Sequence, residues 1–188
     1  SNKNEVLDFA LENKIDLTIV GPEVPLVDGI SDLFEDNDLN IFGPKKYFSQ
    51  LEGSKAFSKK FMKDNKLPTA DYEEFEDAEK AVNYLDSKKP PFVIKYDGLA
   101  AGKGVDICES IEDAKLSISN LLKPDEKIII EDFIKGIELS SIYICNPNAS
   151  KKTLGLPWIK DYKSRDEFNT GPNTGGMGAI SHPFCSYK

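Results

Sequence analysis

The sequence contains few of the residues that build metal centres, disulfide frameworks or membrane spans. It has one histidine and three cysteines among 188 residues, and the cysteines stand far apart at positions 108, 145 and 185. That spacing favours neither a CxxC metal site nor a set of disulfides. No apolar run approaches the ~20 residues of a membrane-spanning helix, and the start does not resemble a signal peptide. We therefore expect a cytoplasmic protein with no membrane partner.

Basic residues are also in short supply. The chain carries 24 Lys and Arg against 32 Asp and Glu, which gives a formal net charge of -8. Because binding to a nucleic-acid backbone depends on clustered Lys and Arg, this balance argues against a nucleic-acid partner. The hydrophobic fraction of 39% is typical of a globular protein with one or two domains.

The first 46 residues follow the pattern helix, strand, helix, strand. Apolar runs at Ile15–Val20 and Leu39–Phe42 predict strands, and the apolar residues of Pro25–Asn37 recur at helical spacing. A strand–helix–strand order implies a parallel sheet with helices on its faces. Since such a domain normally begins with a strand and this chain begins with a helix, we expect the start of the domain to lie outside the chain.

A basic helix is predicted next, over Tyr47–Asn65. On this helix Phe57 and Phe61 share one face at i, i+4 spacing, and Lys55 and Lys59 share nearly the opposite face. From the spacing alone, these lysines are predicted to form a solvated basic surface.

The stretch Phe92–Val105, FVIKYDGLAAGKGV, is the most informative part of the chain. Its apolar run predicts a buried strand that ends on Lys95, and a glycine-rich loop with a second lysine follows. Glycines let backbone N–H groups approach a polyphosphate, and lysines supply positive charge. The stretch has neither the GxxxxGKS/T pattern of a P-loop nor the GxGxxG pattern of a dinucleotide site. On these residues alone, a plain glycine-rich hairpin is an alternative.

Residues 70–135 are predicted to form one compact α+β unit. Helical patterns over 78–85 and 110–122 alternate with strands that include 92–94 and 127–130. Further along, the glycine-rich residues Gly171–Gly178 are predicted, taken alone, to form a flexible loop.

Five stretches together resemble the phosphoribosylamine–glycine ligase family, the glycinamide ribonucleotide synthetases of the ATP-grasp superfamily. They are IVGPEVPLVDGI (19–30), FGPKKYFSQLEGSKAFSKKFM (42–62), VIKYDGLAAGKGV (93–105), IIIEDFIKGIELS (128–140) and NTGPNTGGMGA (169–179). Other ATP-grasp ligases share the lysine strand and the acidic hinge, whereas LEGSKAF, DGLAAGKG and GPNTGGMGA in combination point to this family.

The resemblance implies an α/β fold with an α+β lid: an ATP-grasp fold preceded by part of a Rossmann-like parallel-sheet domain, truncated at both ends. The expected divisions are the end of the Rossmann-like domain (1–46), a connecting helix (47–67), the small lid subdomain (68–136) and the start of the large ATP-grasp subdomain (137–188).

The resemblance also assigns ATP to one set of residues. Two lysines would reach the phosphates under a closing glycine loop, a hinge would hold adenine, and an acid would hold the ribose hydroxyls. In that order they are Lys55 and Lys95; Gly98, Gly102, Lys103 and Gly104; Glu131, Phe133 and Ile134; and Glu138. Within the hinge, the Glu131 side chain would lie near the exocyclic amine and the Ile134 N–H near a ring nitrogen.

Glycine and 5-phosphoribosylamine, the other implied substrates, are assigned to a second set. A turn after the first strand would contact phosphoribosylamine, while two looser matches and a glycine segment would lie near glycine and the ribose phosphate. These residues are Gly21, Pro22 and Glu23; Asp161 and Lys163; and Asn173, Thr174, Gly175 and Gly176. Mg²⁺ or Mn²⁺ would act in the complete enzyme, with ligands in a carboxy-terminal part outside this chain, so no metal ligand is expected here.

The implied reaction is an ATP-dependent ligation in de novo purine biosynthesis. ATP phosphorylates the glycine carboxylate, and the amine of phosphoribosylamine then displaces phosphate from glycyl phosphate, which gives glycinamide ribonucleotide, ADP and phosphate. We expect no catalytic residue within this chain, and we expect the chain alone to be unable to complete the reaction. Two alternatives are open: a non-catalytic nucleotide-binding module, and another ATP-grasp carboxylate–amine ligase.

Overall fold

The computed structural model describes residues 2–100, 104–146 and 148–181, with the backbone alone at Asn169 and Asn173. The chain divides into two compact units. The first comprises residues up to 100 together with 104–133, and the second comprises residues from 134 onward. Among the described residues, no helix has both the length and the apolar character needed to cross a membrane.

The first unit opens with a small α/β layer. A parallel two-stranded sheet pairs β1 (Thr18–Ile19) with β2 (Ile41–Phe42), as the strand–helix–strand pattern predicts. The helices of this layer are α1 (Lys3–Glu12), α2 (Glu23–Val27), α3 (Ile30–Glu35) and α4 (Lys46–Gly53). Its core consists of buried side chains from α1 and α3, namely Leu7, Ala10, Ile30 and Phe34.

Two helices predicted as continuous are each broken in the structure. The helix predicted over 25–37 is interrupted at Gly29, whose φ of 90° is left-handed and therefore ends α2 before α3 begins. The helix predicted over 47–65 consists of α4 and α5 (Lys55–Asp64). Ser54 separates them because its backbone is extended and its hydroxyl accepts a hydrogen bond from the Phe57 N–H, as an N-cap does.

A four-stranded antiparallel sheet forms the remainder of the first unit, in the order β3–β6–β4–β5. Its strands are β3 (Tyr72–Phe75), β4 (Phe92–Tyr96), β5 (Val105–Cys108) and β6 (Ile128–Asp132), and its helices are α6 (Ala78–Leu85) and α7 (Ile111–Leu121). The α+β arrangement predicted for 70–135 is therefore present. The glycine loop joins β4 to β5, so the hairpin alternative is also correct as a description of the backbone.

One face of this sheet packs against α6 and α7. The core between them is formed by Ala81, Leu85, Phe92, Ile94, Cys108, Ala114, Ile118, Ile128 and Ile130. Because successive side chains of a strand point to opposite faces, the residues between these core positions, 93 and 95 on β4 and 129 and 131 on β6, lie on the other face. This alternation determines where the charged residues of the sheet lie.

The second unit consists of two antiparallel strand pairs. β7 (Tyr143–Cys145) pairs with β8 (Thr153–Gly155), and β9 (Ile159–Asp166) pairs with β10 (Thr170–Ser181) across a helical turn at Glu167–Asn169. The segment predicted as a glycine-rich loop is thus a strand. Its register shifts on both sides of Asn173, because glycine-rich strands readily bulge.

Candidate functional site

Lys95 and Glu131 lie on the sheet face opposite α6 and α7. Lys95 pairs in register with Ile129, and Glu131 pairs with Val93, so the two charged residues are diagonal neighbours on adjacent strands. Neighbouring apolar positions of the same strands hold the core on the other face. The strand pairing and the alternation of side chains are therefore sufficient to place this lysine and this glutamate next to each other.

The Glu131 carboxylate is buried between two lysines. Its Oε2 lies 2.8 Å from Lys59 Nζ, and its Oε1 lies 2.9 Å from Lys95 Nζ. The Glu131 side chain is 6% exposed and that of Lys59 is 7% exposed, whereas that of Lys95 is 26% exposed. Oε1 accepts no hydrogen bond from the described residues, so its contact with Lys95 is an ion pair without hydrogen-bond geometry. Oε1 is therefore a buried oxygen that lacks a hydrogen-bond donor among the described residues.

The prediction that Lys59 belongs to a solvated surface is wrong. Lys59 Nζ donates to Thr69 Oγ1 at 2.7 Å and to the Ala70 carbonyl oxygen at 3.2 Å, in addition to its ion pair with Glu131. The buried residues of α5 are Ala56 and Lys59, whereas Phe61 is 39% exposed. Ala56, a small residue three positions before Lys59 on the same helix face, was the one sequence feature that could have indicated that this face is buried.

Asp97 joins the start of α5 to the end of β4. Its carboxylate accepts hydrogen bonds from Ser54 Oγ at 3.1 and 3.2 Å and from the Ala56 N–H at 3.2 Å. A carboxylate at a helix N-terminus satisfies free N–H groups and interacts favourably with the helix dipole. The same contacts hold Lys55, the first residue of α5, against the glycine loop. Sequence reasoning did not identify Asp97 as part of the site.

Lys55 is half-buried beside that loop. Its Nζ donates to the Gly98 carbonyl oxygen at 2.8 Å. Burial lowers the pKa of the Lys55 ammonium below its ordinary value; nearby Asp97 opposes the shift and Lys95 adds to it. The structure therefore brings together Lys55, Lys95 and Glu131, which the sequence predicted from different stretches. We call Lys55, Lys59, Lys95, Asp97 and Glu131 the charged cluster.

The loop that follows β4 depends on glycine at two described positions. Gly98 has a φ of 141°, and a Cβ there would lie 2.9 Å from the Tyr96 ring. A Cβ on Gly104 would lie 2.7 Å from the Ala100 Cβ. A side chain at either position would therefore clash, and glycine is required at both. The predicted residues Gly102 and Lys103 lie outside the described residues.

The charged cluster carries an excess of positive charge although the chain as a whole is acidic. Three ammonium groups face two carboxylates, against a formal net charge of -8 for the chain. Fixed ammonium groups beside glycine backbone form a suitable environment for an anion such as a polyphosphate. The cluster can therefore bind a phosphate group through its partly exposed lysines.

The second unit brings together another set of predicted residues. Lys163 Nζ lies 3.8 Å from Glu138 Oε1 and 3.7 Å from Asp161 Oδ2. The Lys163 carbonyl oxygen accepts a hydrogen bond from Thr174 Oγ1 at 2.9 Å, and that hydroxyl accepts one from the Gly176 N–H at 3.1 Å. The predicted ribose-binding acid and the predicted substrate segment are thus neighbours. The Asn173 side chain lies outside the described residues.

The remaining predicted positions are at the ends of elements. Gly21, Pro22 and Glu23 form the turn from β1 into α2, with Pro22 as the N-cap residue. Phe133 and Ile134 follow β6 and are 39% and 67% exposed. Phe133 ends the first unit and Ile134 begins the second.

Comparison with known families matches the whole chain to one enzyme family. Residues 1–52 match the N domain of phosphoribosylglycinamide synthetase, and residues 53–188 match its ATP-grasp (A) domain. The phosphoribosylamine–glycine ligase of Clostridium acetobutylicum is 47% identical over 191 aligned residues, which cover 97% of this chain and 45% of that protein. The chain thus spans less than half the length of the curated relatives it matches.

Solved structures support the same assignment. The crystal structure of phosphoribosylamine–glycine ligase from Thermotoga maritima is 40% identical, with a TM-score of 0.65 over 77% of this chain and 38% of that one. D-alanine–D-alanine ligase from Bacillus anthracis, in complex with ATP, has a TM-score of 0.66 at 21% identity, over 97% of this chain and 57% of that one. That second likeness concerns the fold alone and confirms the predicted ATP-grasp fold. The chain belongs to the phosphoribosylglycinamide synthetase family, as its sequence motifs predicted.

Proposed function

We propose that the charged cluster binds the phosphates of ATP. The observation that carries the proposal is the partly exposed ammonium of Lys95, 2.9 Å from buried Glu131, in the same cluster as Lys55. Lys55 in turn contacts the glycine loop at Gly98. Because Glu131 is buried and also paired with Lys59, the Lys95 ammonium is held in position yet exposed to an incoming anion. Lys55 and Lys95 would contact the phosphates beside the glycine loop at Gly98 and Gly104.

The adenine base would then lie against the hinge after β6. Glu131 Oε1, a buried oxygen that accepts no hydrogen bond from the described residues, would accept one from the exocyclic amine of adenine. The backbone N–H of Ile134 would donate a hydrogen bond to a ring nitrogen of adenine. Phe133, the residue before Ile134, would also belong to this hinge. Glu138, whose side chain is 74% exposed, would accept hydrogen bonds from the ribose hydroxyls.

For the whole protein we propose the ligation of glycine to 5-phosphoribosylamine. ATP would phosphorylate the glycine carboxylate, and the amine would displace phosphate from glycyl phosphate to give glycinamide ribonucleotide, a cytoplasmic step of purine biosynthesis. Lys163, Asp161 and Thr174 form the polar group that, with Asn173, Gly175 and Gly176, would contact these substrates. Gly21, Pro22 and Glu23 would contact phosphoribosylamine at the end of β1, the usual position of ligands in parallel sheets.

A divalent metal ion, Mg²⁺ or Mn²⁺, belongs to the proposal for the whole protein only. Among the described residues, no group of three His, Cys, Asp or Glu side chains is arranged to hold a metal ion. The chemistry that the ion supplies when bound is neutralisation of phosphate charge.

The test is substrate profiling of the full-length protein. With ATP, Mg²⁺ and phosphoribosylamine present, phosphate release is expected to depend on glycine and to be at least tenfold faster with glycine than with alanine or serine. Product analysis is expected to find glycinamide ribonucleotide. Equal rates with all three amino acids would instead favour another carboxylate–amine ligase, and no phosphate release with any acid would favour a non-catalytic nucleotide-binding module.

A further inference from the structure

Lys59 uses all of its hydrogen-bonding capacity inside the protein. An ammonium group has three N–H donors, and Lys59 Nζ has three close oxygen partners: Thr69 Oγ1 at 2.7 Å, the Ala70 carbonyl oxygen at 3.2 Å and Glu131 Oε2 at 2.8 Å. Its ammonium also lies 5.4 Å from the centre of the Tyr72 ring. With the side chain 7% exposed, no donor is left for a ligand.

The two lysines that flank Glu131 therefore differ in kind. Lys95 is 26% exposed and faces Oε1, so a phosphate can compete for its ammonium. Lys59 is enclosed and faces Oε2, so its contact with Glu131 is independent of any ligand. Because an unpaired carboxylate in a buried position is costly, the contact with Lys59 stabilises the orientation of the Glu131 side chain.

We infer that Lys59 is a positioning residue that sets the nucleobase selectivity of the site. By pairing with Oε2, it orients Oε1, a buried oxygen that accepts no hydrogen bond from the described residues and has the Lys95 ammonium 2.9 Å away. A carboxylate can only accept hydrogen bonds, so it attracts the 6-amino group of adenine and repels the 6-oxo group of hypoxanthine or guanine. This inference rests on the proposed ATP site and adds to it a residue that does not touch the nucleotide.

The sharpest probe is the pair ATP and ITP, since the bases differ at position 6 in the group that meets Glu131. In the full-length protein, ATP is expected to bind at least tenfold more tightly than ITP, because the wrong base leaves a buried acceptor opposite another acceptor. Lys59→Met is expected to reduce this ratio about tenfold, and Lys59→Arg, which keeps the charge, is expected to restore most of it.

Lys60→Met is the matched control. Lys60 is the next residue of α5, and its side chain is 70% exposed and paired with Asp64 at 2.7 Å. The same substitution one position along the helix is expected to leave both the affinity for ATP and the ATP:ITP ratio unchanged.

A second pair of variants separates positioning from a purely structural role. Glu131→Gln replaces the acceptor with an amide that can present either a donor or an acceptor, so it is expected to lose the ATP:ITP preference by itself. Adding Lys59→Met to Glu131→Gln is then expected to change the ratio by less than about threefold, because the residue through which Lys59 acts is already altered. This double variant also avoids an unpaired buried charge if Lys59→Met alone fails to fold.

The outcomes distinguish this inference from the proposed function. If the unaltered protein binds ATP and Lys59→Met weakens ATP and ITP equally, Lys59 is structural only and the inference is overturned. A change of more than about threefold in the ATP:ITP ratio when Lys59→Met is added to Glu131→Gln would also overturn it, because the effect would not pass through Glu131. If the unaltered protein binds neither nucleotide, the proposed ATP site itself is wrong.

Discussion

Replacing Asp97 with alanine is expected to destabilise the protein more than an ordinary helix cap does. Asp97 is half-buried and connects β4 to α5 through hydrogen bonds from Ser54 Oγ and the Ala56 N–H. Hydrogen bonds to a charged group contribute about 1.5–3 kcal/mol. The charge at the helix N-terminus contributes about 0.3–1 kcal/mol more. Since these contributions overlap, we expect Asp97→Ala to lower the free energy of unfolding by about 2–3 kcal/mol.

Asp77→Ala provides a matched control for this prediction. Asp77 is the N-cap of α6 and accepts a hydrogen bond from the Lys80 N–H at 2.9 Å, three residues away in sequence. Loss of such a local cap costs about 1 kcal/mol. The two variants thus make the same chemical change at two helix starts, one with long-range contacts and one with a local contact.

Urea unfolding followed by circular dichroism at helical wavelengths measures both effects. With a slope of about 1–3 kcal/mol per molar urea, a loss of 2–3 kcal/mol lowers the midpoint by about 0.7–3 M. Asp97→Ala is expected to shift the midpoint at least twice as far as Asp77→Ala. Equal shifts, or a loss below about 1 kcal/mol for Asp97→Ala, would refute the claim that Asp97 anchors α5 to the sheet.

Three further predictions test the electrostatics and the core. Burial lowers the pKa of Lys55, whereas Asp64 raises that of Lys60, so NMR of ¹³C-methylated lysines should find Lys55 losing its proton at the lower pH; the reverse order would contradict its burial. Phe92→Ala removes a side chain that is 1% exposed and is expected to cost about 3–5 kcal/mol in urea unfolding; a cost below about 1 kcal/mol would contradict its place in the core. Burial raises the pKa of Cys108 to about 11, so iodoacetamide at pH 8 should alkylate exposed Cys145 and leave Cys108 intact, as peptide mass spectrometry can determine; equal alkylation would contradict the packing of β5.

Strand patterns carried most of what the sequence could predict about the site. The apolar runs before Lys95 and Glu131 predicted β4 and β6, and two-residue alternation then places both charged residues on one face. Family motifs added Lys55 to the same site. The apolar pattern of these strands agrees with the faces that they bury in the tertiary structure, so β4 and β6 could be predicted from the sequence.

Other features depend on contacts that no local pattern encodes. Lys59 is buried because Thr69, Ala70 and Glu131 surround its ammonium. None of these partners lies on α5, and Glu131 comes from β6. A lysine four residues after another lysine is indistinguishable from a solvated pair until those partners are known. The helix start at Ser54 was hidden in the same way, since Asp97 accepts its hydrogen bond from 43 residues away.

The most direct test of the central claim is calorimetric titration of this chain with ATP and Mg²⁺, comparing Lys95→Ala with Lys88→Ala. Both lysines pair with a β6 carboxylate and have similar side-chain exposure, 26% for Lys95 with Glu131 and 31% for Lys88 with Asp132. If the charged cluster binds the phosphates, Lys95→Ala should weaken ATP binding at least tenfold and Lys88→Ala should leave it unchanged. Equal affinity for ATP in the unaltered chain and in Lys95→Ala would contradict the account.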